Sequence, residues 1–280
     1  MDPLQKRLRP LLGTFVELGA PAEEAAFVKA SDNAFKVIEK VQKLLSFHDP
    51  QSELSKLNQS VNQEIFLDPI SVVALKLARY MTKASGGLFD LTLADQLVRQ
   101  KYLPDHAGPI VPENANVGDI YICGRNAILQ KPLRLSLDGI AKGYAVDLAV
   151  KELKAQGLTK GYVNAGGDLR VFGDWVFPVH RRSALNEFEY LGDFKNTAIA
   201  TSAVHAIDDS RFPGKIVSSK DSVMTPQIGI FTVQSSAAWL SDALTKVVCI
   251  ASSDLAQKIV SSFGAQIIYP QIFIPRESLK

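Results

Sequence analysis

The stretch SLDGIAKGYAVDLAVKELKAQGLTKGYVNAGGDLRVFG, residues 136–173, decides the fold because it alternates glycine turns with apolar segments. The pattern predicts a strand, a glycine-flanked turn, a helix, a strand, a second glycine turn and a last strand. Ile140, Tyr144 and Leu148 share one face of the predicted helix, and Gly157 is placed to end it. With the elements predicted elsewhere, this stretch indicates the α+β class, with mixed sheets and packed helices.

The two glycine turns are candidates for a ligand site. The turn from Gly139 to Gly143 opens the helix, so backbone N–H groups and the positive end of the helix dipole face one spot that suits a phosphate. Lys142 lies in that turn and either adds a charge for an anion or only stabilises the turn. The adjacent Gly166 and Gly167 allow the backbone to approach a ligand closely. An ordinary βαβ-like unit is the alternative, and this segment alone favours it.

The composition is that of an ordinary globular protein. Of the 280 residues, 46% are hydrophobic and 21% are charged. The formal net charge of +2 gives no support for a nucleic-acid partner or a membrane surface. Because no repeat or flexible linker divides the sequence, we expect one compact domain over residues 1–280, with two interlocked subdomains as the alternative.

The cysteines and the N-terminus bear on the compartment. Cys123 and Cys249 lie far apart in apolar surroundings, which predicts buried free thiols. No segment is long and apolar enough to span a bilayer, and the N-terminus does not read as a signal peptide. We therefore expect a cytoplasmic location for the chain as it stands. A periplasmic or membrane-associated location is the alternative if a leader was removed.

Start and stop signals predict further elements along the chain. Amphipathic periodicity predicts a long helix over residues 21–45, and Asp68-Pro69 is a typical helix start. Residues 120–130 indicate a hairpin, and residues 94–102 a helix. Ser235-Ser236 is placed to cap a helix that begins at residue 237.

Several polar residues are candidates for chemistry. Asp90 and Thr92 alternate with apolar neighbours, so they either point together into a cleft or form a turn and a cap. Asp242 and Thr245 share one face of the predicted helix. Asp242 is either a site residue or a surface carboxylate paired with Lys246 at the i+4 position. Its apolar surroundings favour the site.

Taken in order, five segments resemble the ApbE family, the FAD:protein FMN transferases. They are PLLGTFVE at 10–17, SFHDPQSELSKLN at 46–58, GLFDLT at 87–92, the DGIAKGYAVD and NAGGDLR motifs within 138–170, and the segment 232–248 with its SDALT motif. These segments are spread over nearly the whole chain. The resemblance implies an ApbE-like fold, a T-fold-like α–β roll.

The resemblance also implies an FAD site and a reaction. A serine or threonine hydroxyl of a target protein attacks the FMN phosphorus, AMP leaves, and Mg²⁺ assists. Such a displacement needs charge neutralisation and in-line positioning more than covalent help. The implied partner is an acceptor flavoprotein subunit or domain, and the chain is expected to be a monomer or a homodimer.

Two other functions are weighed against transfer. One is a non-catalytic FAD-binding protein that stores or presents flavin, with weak or no transferase activity. The other, an ordinary flavin oxidoreductase, is disfavoured because no Gly-x-Gly-x-x-Gly fingerprint follows a first strand.

Residue roles follow from the same resemblance. Asp242, the Ala141 carbonyl and Thr245 are the expected metal ligands. His205 and Asp242 are the expected catalytic residues, with His205 as the acid/base group. The residues expected to line the flavin nucleotide are Ser52, Glu53, Leu54, Phe89, Asp90, Thr92, Asp138, Lys142, Asn164, Ala165, Gly166, Gly167 and Asp168.

The sequence departs from the family pattern at three places. Residues 136–139 read Ser-Leu-Asp-Gly where the family has Asp-Leu-Gly-Gly. The residues that follow the His-Ala-Ile segment read Asp-Asp-Ser-Arg in place of Asp-Pro-Arg-Thr. Lys246 stands where the family has a metal-site threonine, and the nearest threonine is one residue early at Thr245. The ammonium of Lys246 either replaces part of the metal's charge or repels the metal.

Overall fold

The structure, a computed structural model, describes residues 3–183, 187–204, 216–218 and 225–272. Within these ranges the strands are β1 (Leu4–Leu11), β2 (Thr14–Pro21), β3 (Ile65–Phe66), β4 (Ile120–Cys123), β5 (Asn126–Leu129), β6 (Gly161–Ala165), β7 (Asp168–Phe172), β8 (Val176–Arg182), β9 (Phe188–Lys195), β10 (Ala198–Val204), β11 (Gly229–Ser235) and β12 (Gln266–Ile272). The helices are α1 (Phe27–Leu45), α2 (Glu53–Gln59), α3 (Pro69–Ala84), α4 (Ala94–Arg99), α5 (Ala141–Ala155), α6 (Ala238–Ile250) and α7 (Ser253–Ser262), with a 3₁₀ turn at Val117–Asp119.

A seven-stranded antiparallel sheet forms the frame of the molecule. Its strand order is β1-β2-β6-β7-β10-β11-β12. A three-stranded sheet has the order β3-β5-β4, and β8 pairs with β9 in a two-stranded ribbon. The strands of the large sheet come from distant parts of the chain, so this sheet brings distant sequence segments together.

The helices cover the central strands of the large sheet. Helix α5 packs against β6 and β7, α6 packs against β10 and β11, and α1 packs on α5. The main hydrophobic core between these layers draws on residues from Val16 to Ala265. A smaller cluster around Tyr162 lies between β6, β7 and the β8–β9 ribbon. The number of subdomains stays a prediction.

The starts of α5 and α6 are joined side by side. A Cβ atom on Gly143 would lie 2.3 Å from the Ala238 carbonyl oxygen, so only glycine allows this approach. The Asp147 carboxylate on α5 accepts hydrogen bonds from the backbone N–H groups of Ala238 (3.0 Å) and Trp239 (2.9 Å). Asp147 therefore caps α6 from the neighbouring helix, and Arg170 on β7 pairs with it at 3.1 Å.

This cap corrects the expectation for α6. Ser235-Ser236 was expected to cap the helix. The residue directly before α6 is instead Ala237, whose side chain makes no cap hydrogen bond. The Ser235 hydroxyl bonds instead with the Ser241 hydroxyl at 2.7 Å. A carboxylate satisfies the orphan N–H groups better than a hydroxyl, because it accepts two charge-assisted bonds at once.

Three other expectations are wrong in detail. No strand precedes the first glycine turn, because Leu135 N–H donates to the Asn58 side chain (2.8 Å) and Ser136 N–H to the Leu91 carbonyl (2.9 Å) instead of to a neighbouring strand. Helix α1 begins at Phe27, since residues 14–21 form β2. Cys123 is exposed beside the β4–β5 turn, whereas Cys249 is buried as expected.

Other expectations are confirmed. The hairpin over residues 120–130 is β4–β5, and Asp68 caps α3 through a bond from Ile70 N–H of 2.9 Å. The helix after residue 93 is shorter than expected and ends at Arg99. Across the described ranges, no helix is both long enough and apolar enough to cross a membrane.

Gly143→Ala is expected to lower the free energy of unfolding by about 1–3 kcal/mol, as overpacking does, despite the ~1 kcal/mol that alanine gains in helix propensity. The added methyl group meets the α6 backbone, which cannot move aside without opening the α5–α6 contact. Urea denaturation measures the change.

Gly108→Ala is the matched control, because its Cβ would meet only the flexible Arg134 side chain, at 3.4 Å. Its free energy of unfolding should change by less than about 0.5 kcal/mol. Equal stability of the two variants would contradict the close packing of α5 on α6.

Candidate active site

One large cleft is lined by eight of the candidate site residues singled out in the sequence. Its volume is about 1710 Å³, which exceeds the roughly 300–1,000 Å³ of a pocket for a drug-sized ligand. The predicted residues that line it are Phe89, Asp90, Asp138, Ala141, Lys142, Asn164, Gly166 and Gly167. Five sequence segments, from β2 to α6, thus meet around one space.

The β6–β7 turn presents bare backbone to the cleft. Gly166 and Gly167 have φ values of +62° and +105°, a region that side chains disfavour. The Asn164 side chain fixes the turn by accepting a hydrogen bond of 3.0 Å from Gly167 N–H. A Cβ on Gly166 would lie 2.5 Å from the Thr14 hydroxyl oxygen. Both glycines are therefore required by the geometry, and a ligand can approach the Gly167 backbone closely.

The start of α5 lies across from this turn. Ile140 precedes the helix and makes no side-chain cap bond. The Gly143 N–H group, expected to be open to an anion, instead donates to the Asp242 Oδ2 atom at 3.1 Å. The helix start therefore binds a buried carboxylate of the protein itself.

Asp242 forms the centre of a buried polar group on α6. Its side chain has no exposed surface, and Oδ1 lies 2.5 Å from the Lys246 Nζ atom. That ammonium also donates to the hydroxyl oxygens of Ser202 (3.1 Å) and Thr245 (3.2 Å). The Thr245 hydroxyl donates in turn to the Asp242 carbonyl oxygen at 2.7 Å.

A second ion pair lies beside the first. Lys142 Nζ is 3.3 Å from Asp168 Oδ2, and Asp168 is only 2% exposed. We call the two pairs together, Asp168, Asp242, Lys142 and Lys246, the ionic cluster. It contains two carboxylates and two ammonium groups, so its formal charges balance.

The pKa shifts show that these groups act on one another. Burial raises the pKa of the Asp168 carboxyl to about 6, with the Asp242 carboxylate adding to the rise and the Lys142 ammonium opposing it. Burial by itself would raise the pKa of Asp242, but the ammonium groups of Lys246 and Lys142 outweigh it and hold that pKa below its ordinary value. The carboxylates of Asp168 and Asp242 raise the pKa of Lys142. At neutral pH Lys142 therefore keeps its charge.

The residues expected from the 46–58 segment lie elsewhere. Ser52, Glu53 and Leu54 are not among the residues that line the cleft. The Ser52 hydroxyl caps α2 by accepting from Ser55 N–H (3.0 Å), and the Glu53 carboxylate accepts from Asp68 N–H at 2.9 Å. Leu54 is buried in the core. Each of the three makes a structural contact, and their expected roles beside the nucleotide stay predictions.

The remaining candidates divide between the cleft and its supports. Thr92 donates through its N–H (2.8 Å) and its hydroxyl (2.7 Å) to Asp90 Oδ1, so this pair forms the turn that was the alternative to a shared cleft position. Asp90 lines the cleft. Ala165 is a buried strand residue before the glycine turn. His205 lies outside the described residues.

The sequence analysis did not identify two residues that support the site. Ser202 on β10 lies 44 positions from its partner Lys246, and nothing in the sequence signals that contact. Asp147 was quoted only as part of a motif. Its position four residues after Gly143 places both on one helix face, but nothing in the sequence indicates that this face meets α6.

The side chains present do not fit a magnesium ion at the expected position. Mg²⁺ needs near-octahedral oxygen ligands at about 2.0–2.1 Å. Both Asp242 oxygens already have partners, and the Lys246 ammonium lies where a cation beside Oδ1 would lie. In the part of the chain that the structure describes, no three His, Cys, Asp or Glu side chains are grouped closely enough to hold a metal. The expected set of Ala141, Asp242 and Thr245 is therefore not arranged as a metal site.

Sequence comparison gives two curated relatives that are named FAD:protein FMN transferase. The one from Vibrio cholerae is 26% identical over 190 residues, or 60% of this chain and 55% of the relative. The one from Rhodobacter capsulatus is 28% identical over 151 residues, or 49% of this chain and 29% of the relative. The match thus spans about half the length of the first relative and under a third of the second.

Solved structures with the same fold cover nearly the whole chain. The flavin transferase ApbE of Vibrio cholerae has a TM-score of 0.77 at 19% identity, over 95% of this chain and 93% of that one. The apo form of the flavinyl transferase ApbE of Pseudomonas stutzeri has a TM-score of 0.81 at 17% identity, over 98% of this chain and 93% of that one. The ApbE protein of Thermotoga maritima has a TM-score of 0.80 at 19% identity, over 96% of this chain and 97% of that one. The α+β, ApbE-like fold class is confirmed.

The family profile of ApbE matches residues 12–269, which include all the residues that line the cleft except Leu8. The resemblance seen in the motifs therefore extends over sequence and fold alike. The chain belongs to the ApbE family.

Proposed function

We propose that this chain transfers the FMN half of FAD to a serine or threonine hydroxyl of a target protein and releases AMP. The observation that supports this most is the ionic cluster beside the bare Gly166-Gly167 turn, at one wall of a cleft of about 1710 Å³. A dinucleotide carries its negative charge at the diphosphate, between two bulky rings. Lys142 and Lys246 line the cleft whereas Asp168 and Asp242 do not, so the neutral cluster turns its positive ends toward the place where the diphosphate would lie.

The two lysines differ in how they meet the cleft. Lys142 is 35% exposed at its side chain, and its ion pair among the described residues is with Asp168, so its ammonium can turn toward a phosphate. Lys246 is 19% exposed and donates to three oxygens of the protein. We assign Lys142 to direct contact with the diphosphate and Lys246 to a fixed charge behind it.

The proposed reaction balances as a displacement at phosphorus. The acceptor hydroxyl oxygen forms a bond to the phosphorus on the flavin side of FAD. The bond from that phosphorus to the bridging oxygen breaks, and AMP leaves with that oxygen and the electron pair. We assign the hydroxyl proton to His205, on the strength of the family resemblance. The chain's task is then positioning and charge neutralisation, which supply most of the rate in such reactions.

The partner in this proposal is a flavoprotein subunit or domain with an exposed serine or threonine. No step is assigned to Mg²⁺, because the side chains at the expected metal position do not fit it. The second candidate function is a protein that binds and presents FAD without transferring FMN. The presence of Lys246 at the expected cation position favours that candidate, since a single positive charge neutralises less than a divalent ion does.

The direct test mixes the chain with FAD and a threonine-bearing acceptor domain. We expect flavin fluorescence that stays on the acceptor in a denaturing gel, together with one AMP for each flavin attached. Threonine→Ala in the acceptor is the control and should abolish both signals. FAD binding with neither product would contradict transfer and support the second candidate. Lack of FAD binding would contradict the assignment of the cleft.

Gly166→Ala is expected to weaken FAD binding by about tenfold, because the added methyl group meets Thr14 and distorts the turn that faces the nucleotide. Gly124→Ala is the matched control, since Gly124 also has a positive φ, of +57°, but lies in the β4–β5 turn away from the cleft. Flavin fluorescence titration measures both affinities. A similar loss in the two variants would show that the effect comes from backbone strain alone.

His205→Ala is expected to lower the rate of transfer by about 10²–10⁴-fold, the usual range for removal of a general base. The dissociation constant for FAD should change by less than about twofold, because proton transfer is separate from binding. His180→Ala, which removes a histidine that is exposed to solvent, is the control and should leave both quantities nearly unchanged. Parallel losses of rate and affinity in His205→Ala would make His205 a binding residue.

A further inference from the structure

Lys246 is held in its position by the fold. Its side chain passes over Gly139, where an added Cβ would lie 3.5 Å from Lys246 Cγ and 3.6 Å from Cε. The same Cβ would lie 3.0 Å from a Phe89 ring atom, so Gly139 leaves a narrow passage for the lysine. The lysine therefore reaches the Asp242 carboxylate along a path that the glycine turn keeps open.

The ammonium group is fully satisfied at the end of that path. A lysine ammonium has three N–H donors. Here they match three oxygens, at Asp242 (2.5 Å), Ser202 (3.1 Å) and Thr245 (3.2 Å). Because Thr245 and Asp242 were the expected metal ligands, the ammonium bonds to the very oxygens that a cation there would use. A divalent ion would have to displace three hydrogen bonds before it could coordinate.

Charge balance points the same way. The ionic cluster has two buried carboxylates and two ammonium groups, so it is already neutral. Without FAD, a divalent cation beside Lys246 would add two positive charges to this neutral cluster and would lie against the ammonium, which is unfavourable. The site accepts either the ammonium or a metal ion at Asp242, and the described side chains are arranged for the ammonium.

We propose that the Lys246 ammonium takes the place of a divalent cation, so that this chain binds the FAD diphosphate without a metal ion. The inference rests on the proposed function only in that it takes FAD as the ligand. Lys246 acts as a positioning charge behind Lys142, and a single-residue difference from the family pattern changes the cation requirement of the site.

The first test uses the unaltered protein and flavin fluorescence titration. The dissociation constant for FAD in EDTA should agree within about twofold with that in millimolar Mg²⁺. Tightening by about tenfold or more on addition of Mg²⁺ would overturn the proposal. This measurement does not depend on transfer. Metal-independent binding without transfer would therefore leave the inference standing while the proposed function fails, and Mg²⁺-dependent binding accompanied by transfer would do the reverse.

The second test exchanges the lysine. Lys246→Thr frees the Asp242 and Thr245 oxygens and adds a hydroxyl, so in EDTA its affinity for FAD should fall by about tenfold or more and return with Mg²⁺. Lys246→Met removes the charge without adding an oxygen, so its loss should not be rescued by Mg²⁺. Lys151→Thr, at an exposed position on α5, should behave as the unaltered protein does. Circular dichroism confirms that each variant is folded before titration.

Metal binding itself is read with Mn²⁺ as the probe, by electron paramagnetic resonance without FAD. The unaltered protein should leave Mn²⁺ free in solution, and Lys246→Thr should bind it. One tightly bound Mn²⁺ on the unaltered protein, lost in Asp242→Asn, would overturn the proposal. Lys246→Thr with no affinity for Mn²⁺ and unchanged FAD binding in EDTA would also overturn it, because Lys246 would then not occupy a cation position.

Discussion

The buried ion pair between Asp242 and Lys246 is the interaction on which the site depends. A carboxylate with no exposed surface stays ionised only where neighbouring charges and hydrogen bonds replace water. Here an ammonium at 2.5 Å and the Gly143 N–H group at 3.1 Å do so. Removal of one partner from such a pair typically destabilises a protein by about 3–5 kcal/mol, because the other charge is left uncompensated. Both residues therefore have a structural role, and Asp242→Ala would disturb the fold.

The fold fixes this pair through the contact of two helices. Gly143 lets α5 approach α6, and Asp147 binds the first N–H groups of α6. These contacts fix the orientation of α6 about its axis and its position along that axis. They thereby place Asp242 against the start of α5. The β6–β7 turn adds Asp168 and, through it, Lys142. Elements that are far apart in sequence thus set one charge arrangement to within hydrogen-bond distances, on rigid helices and strands. Such support is what a site for positioning a diphosphate requires.

Much of this could be predicted from the sequence, where the information is local. The Asp68-Pro69 helix start, the β4–β5 hairpin and the sharing of a helix face by Asp242 and Thr245 follow from spacing alone. The cap of α6 and the missing strand before Gly139 could not be predicted, because both depend on partners distant in the sequence, Asp147 and Asn58. The sequence shows that Lys246 departs from the family pattern. Only the position of its Nζ atom in the structure shows that the ammonium bonds to Asp242.

One crystallographic experiment addresses the cation directly: diffraction from crystals soaked in FAD with excess Mn²⁺, collected for anomalous scattering. The arrangement described here predicts a diphosphate beside Lys142 and the Gly166-Gly167 turn, with Lys246 Nζ still bonded to Asp242 and no anomalous peak between them. An anomalous peak coordinated by Asp242 with the lysine side chain displaced, or FAD bound outside this cleft, would contradict it.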